Sequence, residues 1–460
     1  MAIAAHPEVS PRTRRLLGAP IVPTLVGLAW PNTLVTLAQA STGLIELFWV
    51  SRLGTDALAG LALVFPGVML MQMVSNGAMG GGISSAVARS LGAGRRERAD
   101  ALVVHAVLVN LALGALFTGL VVGLGPTLYR ALGGEGGSLQ AALLYSNVVF
   151  GGAVLIWVTN GLASVIRGTG NVLVPALVIA GGVVVLVPLS PCLIFGAGPF
   201  PALGVAGGAA ALVLYYAGAT AVLGWYVISG RCLARPRRTV PSWPLFADIL
   251  RVGAVSSVSS LQTNLTVILT TALVGTRFGP DAVAGYGTGA RLEYLLVPLV
   301  FGLGAPLVAL VGTNTGAGQG ARALRIAFAG GGIAFGLTEA VGLCAALWPQ
   351  AWLGLFGSDP AMLASGSAYL HAVGPFYGFF GLGLALYFAS QGRGRLAWPL
   401  IAGALRVLVA VGGGWLALRL TGSLQWLFVA LGAALVLYGT LITATIAGGA
   451  WSERAPRRPV

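Results

Sequence analysis

Between residues 21 and 450 the chain is a succession of long apolar runs, interrupted only by short clusters rich in Arg, Gly and Pro. A helix needs about 20 apolar residues to cross the hydrocarbon core of a bilayer. Dividing the chain at the clusters predicts twelve membrane spans. The first six cover roughly 21–50, 57–89, 101–129, 139–166, 172–196 and 204–229; the second six cover roughly 248–276, 282–314, 323–349, 361–390, 396–419 and 423–450. With 57% hydrophobic and only 8% charged residues, the chain has too little polar surface to cover a water-soluble globule, so lipid is its solvent. Its 70 glycines lie inside the apolar runs, where small residues let membrane helices approach closely. The opening apolar stretch continues to about Val50, too long for a cleavable signal core, and is read as a retained first span.

The net charge of +14 comes entirely from arginine, because none of the 26 basic residues is lysine. Nucleic-acid binding would gather them on one folded module; here they sit between spans. Arg12, Arg14 and Arg15 precede span 1, Arg89, Arg95, Arg96 and Arg98 border the turn after span 2, and Arg167 follows span 4. Arg231, Arg235, Arg237, Arg238 and Arg251 surround the central connection; Arg322 and Arg325 follow span 8, Arg393 and Arg395 span 10, and Arg454, Arg457 and Arg458 end the chain. Only Arg52, Arg130, Arg277 and Arg419 fall on the opposite side, and Arg291 and Arg406 lie inside spans. By the positive-inside rule both termini are expected in the cytoplasm. A multi-pass membrane protein is then expected.

SRLGTDALAG at 51–60 recurs as TRFGPDAVAG at 276–285, SLGAGRRERA at 90–99 as NTGAGQGARA at 314–323, and RGTGNVLVP at 167–175 as QGRGRLAWP at 391–399. Three collinear matches at a shift of 224 to 225 residues mark an internal duplication. Six spans per half is an even number, so both halves enter the membrane in the same direction. The expectation is an all-α integral membrane protein of twelve transmembrane helices in two parallel-repeat six-helix lobes. Its parts are a tail over 1–20, an N-lobe over 21–230, a linker over 231–247, a C-lobe over 248–450 and a tail over 451–460. Such repeats place substrate near mid-membrane, at the interface or within the lobes.

Charges inside a membrane are expensive and mark function by default. Glu46, Glu293 and Glu339 fall within spans. Glu46 shares a helix face with Asn32, Thr36 and Gln39, giving span 1 a polar stripe toward an aqueous cavity, where a partly desolvated carboxylate can exchange protons. The competing reading pairs Glu46 with Arg52 or leaves it solvated at the end of the span. Span 7 carries Ser256, Ser260, Thr263, Asn264 and Thr271, and the repeat sets Thr271 opposite Glu46. Such hydroxyls line a cavity or bond their own helix. Glu293 and Glu339 bind an ion or pair with Arg291, Arg406 or His371; Gln72, Asn76, Gly77 and Gly81 in span 2 serve close helix contact or line a cavity. Tyr129 and Trp352, near span ends, suit interface anchors.

Cys192, Cys232 and Cys344 lack paired spacing, and His6, His105 and His371 form no metal motif with them. GAGRR at 92–96 follows no strand and precedes no GKS or GKT, so it reads as a tight turn. No Cys, His and carboxylate constellation suggests an enzyme. No cofactor, metal or nucleic acid is expected, and no obligatory protein partner; the bilayer and a small molecule are the partners, and the chain is expected to be a monomer.

ELFWVSRLGTDALAGLAL at 46–63, the GAG loops, IRGTGN at 166–171, PLSPCLIFGAG at 188–198 and QGRG at 391–394, taken in order, resemble the multidrug and toxic compound extrusion (MATE) transporters. The likeness runs through essentially the whole chain, and GARLEYLLVPLVFGLGAPLVALVGTNTGAG at 289–318 is similar to the bacterial DinF-like branch. The resemblance implies two lobes that open alternately and export cationic or amphipathic compounds in exchange for protons or sodium ions. Glu46 stands where the family usually has Asp, and Leu186 and Ser190 stand where span 5 often has Asn and Asp. Losing those oxygen ligands favours protons over sodium. A lipid-linked oligosaccharide flippase of the same superfamily would want a broad cationic cavity, which few in-span arginines provide. A major-facilitator architecture also has two parallel six-span halves and is set aside only by the motifs.

Overall fold

The computed structural model describes residues 10–198, 200–237 and 239–451, with the side chains of 38–42, 44, 45 and 294 excepted. Residues 1–9 and 452–460 of the expected tails, with Arg238 and the Gln39 side chain, lie outside the described set. All regular structure among the described residues is helical. A short helix, Pro11–Gly18, is capped by Ser10 Oγ accepting from the Thr13 N–H at 3.1 Å. Span 1 is Ile21–Ser51 and span 2 Thr55–Gly92, the latter with a π-helical turn at Met73–Met79. Span 3 is Arg96–Ala131; span 4 is Gly136–Gly151 with Ala153–Gly168, bent by 45°. Span 5 is Leu173–Phe195 and span 6 Val205–Ile228. Spans 7 and 8 form one run, Trp243–Gly316. Span 9 is Gly320–Leu347, span 10 Pro360–Arg393, span 11 Ala397–Thr421 and span 12 Leu424–Ala450.

Among the described residues nine helices are long and apolar enough to cross a membrane, or ten with the bent pair taken as one. The other two crossings come from span 1 and from the 74-residue run Trp243–Gly316. A straight helix of that length would reach about 110 Å, several times the membrane thickness, so it has to turn back. It does so at Gly279, with φ 80° and ψ −174°, just before Pro280. Gly54 makes the matching turn in the first half, with φ 110° and ψ 174°. Only glycine adopts such angles without strain.

The duplication is visible as repeated contacts. A Cβ on Gly92 would lie 2.0 Å from Thr313 O, and one on Gly316 would lie 2.0 Å from Arg89 O. The repeat shift exchanges these two contacts, so spans 2 and 8 cross about a pseudo-two-fold axis. Gly168 against Ser84 O and Gly392 against Val308 O, each 2.7 Å from a built Cβ, form a second matched pair inside the two halves. Each lobe has its own apolar core, one around Tyr145, Trp157 and Tyr216 and one around Tyr286, Tyr369 and Phe428. Spans 1 and 7 cross between lobes. Leu25, early in span 1, joins the cluster of Leu307 and Leu386, whereas Ile249, early in span 7, joins that of Ile83 and Ile166.

The lobes meet most tightly toward the arginine-rich face. From Ala78 to Gly92 span 2 is buried except at Arg89 and Leu91, whereas its other end is partly exposed, with Phe65 at 48%. Arg89 and Arg98 both reach Asp248, at 2.6 and 3.0 Å, and Ser85 Oγ donates to Gln391 O and, at 3.0 Å, to Gly392 O. The connection between lobes lies on span 3: Arg235 N–H donates to Asp100 at 2.8 Å, Arg237 meets Glu97 at 2.7 Å, and Ser242 N–H donates to His105 Nε2 at 2.9 Å. Helix already begins at Trp243, within the stretch read from sequence as linker. Tyr129 is no interface anchor: it is 2% exposed, and its hydroxyl bonds Ser146 Oγ at 2.6 Å inside the N-lobe.

Candidate functional site

Span 1 carries polar groups into two places because it leans on both lobes. Its Asn32 Nδ2 donates to Gly302 O at 3.1 Å, holding the middle of span 1 to span 8. Pro31 beside it lacks a backbone donor. Asn32 and Thr36 line an inter-lobe cleft with Asn76, Arg167 and Gln391, and Ile179, Phe301 and Phe388 supply apolar wall. Gly77 and Gly81 of span 2 also line it. The glycines therefore serve both close approach and lining: a Cβ on Gly77 would meet Phe301, and one on Gly81 would clash with Gln391.

Arg167 and Gln391 are partners in the repeat, one from each half, and both line this cleft. Gln391 Nε2 donates to Ser256 Oγ at 2.8 Å and Tyr387 OH at 3.0 Å, which ties spans 7 and 10 together. Arg167 donates to Asn76 Oδ1 at 2.7 Å and Ser164 Oγ at 2.8 Å. Sequence reasoning counted Arg167 among the orientation-setting arginines. Its alignment with a neutral glutamine, Gln391, in place of a second orientation-setting arginine is the signal that sets it apart.

Further along span 1, Glu46 lies inside the N-lobe. Its Oε1 accepts from Tyr145 OH of span 4 at 2.8 Å and lies against span 6, where a Cβ built on Gly208 would come within 3.0 Å. Arg52 is not its partner: that guanidinium stacks over Phe48 and Trp49, 4.7 and 5.2 Å from the ring centres. Nearby, Gln72 donates to Tyr216 OH at 2.5 Å, and Asn160 donates to Gln72 Oε1 at 3.2 Å and Ser75 Oγ at 2.8 Å. Ser190 is buried in span 5, its hydroxyl without a partner among the described residues.

The remaining candidates scatter. Ser260, Asn264 and Thr271 bond carbonyls four residues back in their own helix, at 3.3, 3.0 and 2.8 Å. Two members of that stripe reach across: Ser256 Oγ accepts from Gln391, and Asn264 Nδ2 donates to Met73 Sδ of span 2 at 3.6 Å. In the C-lobe Glu293 pairs with Arg406 at 3.0 Å, and Tyr369 OH donates to it at 3.4 Å. The Arg406 guanidinium also sits over Phe380 and Tyr438, 5.2 and 5.5 Å from the ring centres. Glu339 accepts from Gly378 N–H at 2.6 Å. Arg291 is exposed and rests over Phe356, and His371 is exposed. No group of three or more His, Cys, Asp or Glu side chains suited to a metal exists among the described residues.

Two lobes joined at one face by crossed spans 2 and 8, with a cleft between them, form the frame of an alternating-access carrier. The MatE family model matches the chain twice, over residues 31–192 and 256–416, more than half its length. The chain belongs to the MATE family. The two matches are offset by the repeat shift, one in each half. A protein of Shewanella oneidensis described as an FAD transporter is 28% identical over 380 residues, 82% of each chain. A probable multidrug resistance protein NorM of Thermotoga maritima is 25% identical over 385 residues, 82% of this chain and 81% of that one. Among solved structures, a MOP superfamily transporter from Pyrococcus furiosus superposes with a TM-score of 0.88 at 24% identity, covering 97% of this chain and 99% of that one. A multidrug resistance MATE transporter in an outward-facing conformation superposes equally well, with the same identity and coverage. The fold of this MATE protein is thus a multi-pass membrane transporter fold.

Proposed function

We propose that this MATE transporter exports cationic or amphipathic small molecules in exchange for protons, with Glu46 as the coupling carboxylate. The observation that carries the reading is the setting of Glu46: a lone carboxylate within a span, held by the Tyr145 hydroxyl, with no cation beside it among the described residues. An acid without a counter-ion can take up and release a proton without breaking a salt bridge. Leu186 and Ser190 in span 5 provide one hydroxyl where a sodium site would want more oxygen ligands.

The arginine-rich face is the cytoplasmic one by the positive-inside rule, and it is the face at which the lobes are joined. The conformation is then the outward-facing one. Glu46 would take a proton from the outer side, and its release after the lobes reopen inward would let an inward proton gradient drive outward export. The FAD transport named for the Shewanella oneidensis relative brings flavin-sized molecules within the cargo to be tried.

The experiment is dye or drug efflux from proteoliposomes under an imposed proton gradient, an imposed sodium gradient, or neither. Wild type should export with the proton gradient alone, Glu46→Asp in part, and Glu46→Gln not at all while remaining folded in the membrane. Normal export by Glu46→Gln, or export by wild type on sodium alone at equal pH, would refute proton coupling through this residue.

A further inference from the structure

The guanidiniums that reach inward from the spans differ in one respect. Arg89 has Asp248 at 2.6 Å and Arg406 has Glu293 at 3.0 Å. Arg167 has no carboxylate within ion-pair distance among the described residues, only two neutral oxygens, Asn76 Oδ1 and Ser164 Oγ. A charge taken out of water without a counter-ion is costly to keep. None of the other described residues lining the cleft is charged, so among them the cleft floor is net positive.

The surrounding chemistry completes a receptor. Guanidinium has five N–H donors in a planar fork, which suits the paired oxygens of a carboxylate or phosphate. Two are occupied by neutral partners. Because Asn76 spends its carbonyl on Arg167, its amide nitrogen remains beside the same position as a further donor. Phe301, Phe388 and Ile179 offer apolar surface for the rest of an amphipathic molecule, which fits the usual composition of ligand sites.

We propose that Arg167 recognises an anionic group, a carboxylate or phosphate, on the transported molecule at the floor of the inter-lobe cleft. The inference rests on the exporter reading and narrows its cargo from cationic or amphipathic to amphipathic with an acidic group. It does not depend on which ion drives transport. Arg167 holds the cargo while Glu46, in the N-lobe interior, exchanges the proton.

The test compares two probes with one ring system, flavin mononucleotide and riboflavin, which differ by a phosphate. Binding to purified full-length protein is read by flavin fluorescence, with no gradient present. Wild type is expected to bind the phosphorylated probe at least tenfold more tightly. Arg167→Gln, which installs the side chain of the repeat partner Gln391, should bring the ratio of the two affinities near one, and Arg167→Lys should keep part of it. Inorganic pyrophosphate should displace the phosphorylated probe from wild type and leave riboflavin in place, a measurement that needs no variant. The preference should persist in Glu46→Gln, which separates this proposal from proton coupling. Equal affinity for the two probes in wild type, or an undiminished ratio in Arg167→Gln, overturns it.

Discussion

In the N-lobe, Glu46 accepts a bond from the Tyr145 hydroxyl and has no cation beside it among the described residues; in the C-lobe, Glu293 is held at 3.0 Å by Arg406, whose guanidinium sits over the rings of Phe380 and Tyr438. The lobes descend from one duplicated unit, and their close helix crossings are still interchangeable by the repeat shift. Their polar interiors are not: the position matching Glu46 is Thr271, which bonds its own helix, and the positions matching Glu293 and Arg406 are Val68 and Gly182. Geometry at the crossings admits one residue type, so it outlasts divergence. An interior charge can move to another helix and still serve. On the proposed reading the unpaired acid carries the exchanged proton, and the paired one holds Arg406 in place.

The widest separation between the lobes should appear in a matched pair of variants. Glu46→Gln is expected to lower gradient-driven export to the level of protein-free vesicles, while Glu293→Gln retains most of it after correction for the amount of folded protein. Export assayed in the same liposomes decides the point. Similar losses in both would erase the proposed division of labour.

Stability should show the reverse order. Arg406→Met strands the Glu293 carboxylate beside Tyr369, and breaking a largely buried pair from one side costs about 3–5 kcal/mol. Removing both charges in Glu293→Gln with Arg406→Met should recover most of that loss, as a double-mutant cycle in detergent would reveal. Glu46→Gln should be nearly as stable as wild type. If Arg406→Met unfolds no more easily than wild type, the pair is not what holds the C-lobe interior.

The helix count and the duplication were legible in the sequence because each rests on a signal that lipid amplifies, apolar length and repeated glycine. Glu46 stood out as a charge within a span, but the shared stripe read for it does not hold, since Asn32 and Thr36 line the cleft while Glu46 lies against Tyr145 and Gly208 in the N-lobe. Gly54 and Gly279 were legible as a repeated motif, and the structure gives the reason in their positive φ. Tyr145 was not, since a tyrosine 99 residues from Glu46 carries no mark of its partner. Arg167 was hidden by its place at a span end, where arginine usually reports orientation. The span 7 hydroxyls could not be assigned because a serine that bonds its own helix and one that reaches across look alike in sequence; only Ser256 turned outward to Gln391.

What the duplication kept can be tested by breaking it on each side. Gly92→Val and Gly316→Val each push a side chain into a carbonyl of the opposite lobe, and overpacking of this kind costs about 1–3 kcal/mol. The cost falls only on the conformation in which the arginine-rich ends are joined. Both variants should therefore raise the labelling of a cysteine placed at Ser84, and by similar amounts. A response to one and not the other would show that the crossing is less symmetric than its contacts.

The smallest expected effect concerns the hydroxyl that distinguishes the two acids most directly. Tyr145→Phe keeps the ring in the N-lobe core and removes the bond to Glu46 Oε1. A hydrogen bond to a charged acceptor is worth about 1 kcal/mol more than one to a neutral acceptor, so its loss changes the balance between the two forms of Glu46 by about that much. Export should then fall about fivefold, the kinetic equivalent of ~1 kcal/mol, without being abolished. The C-lobe counterpart is Tyr369→Phe, which removes a longer bond of 3.4 Å to a carboxylate already neutralised by Arg406. Export by that variant should match wild type. Should Tyr369→Phe slow export as much as Tyr145→Phe, the acids of the two lobes would have to share the proton.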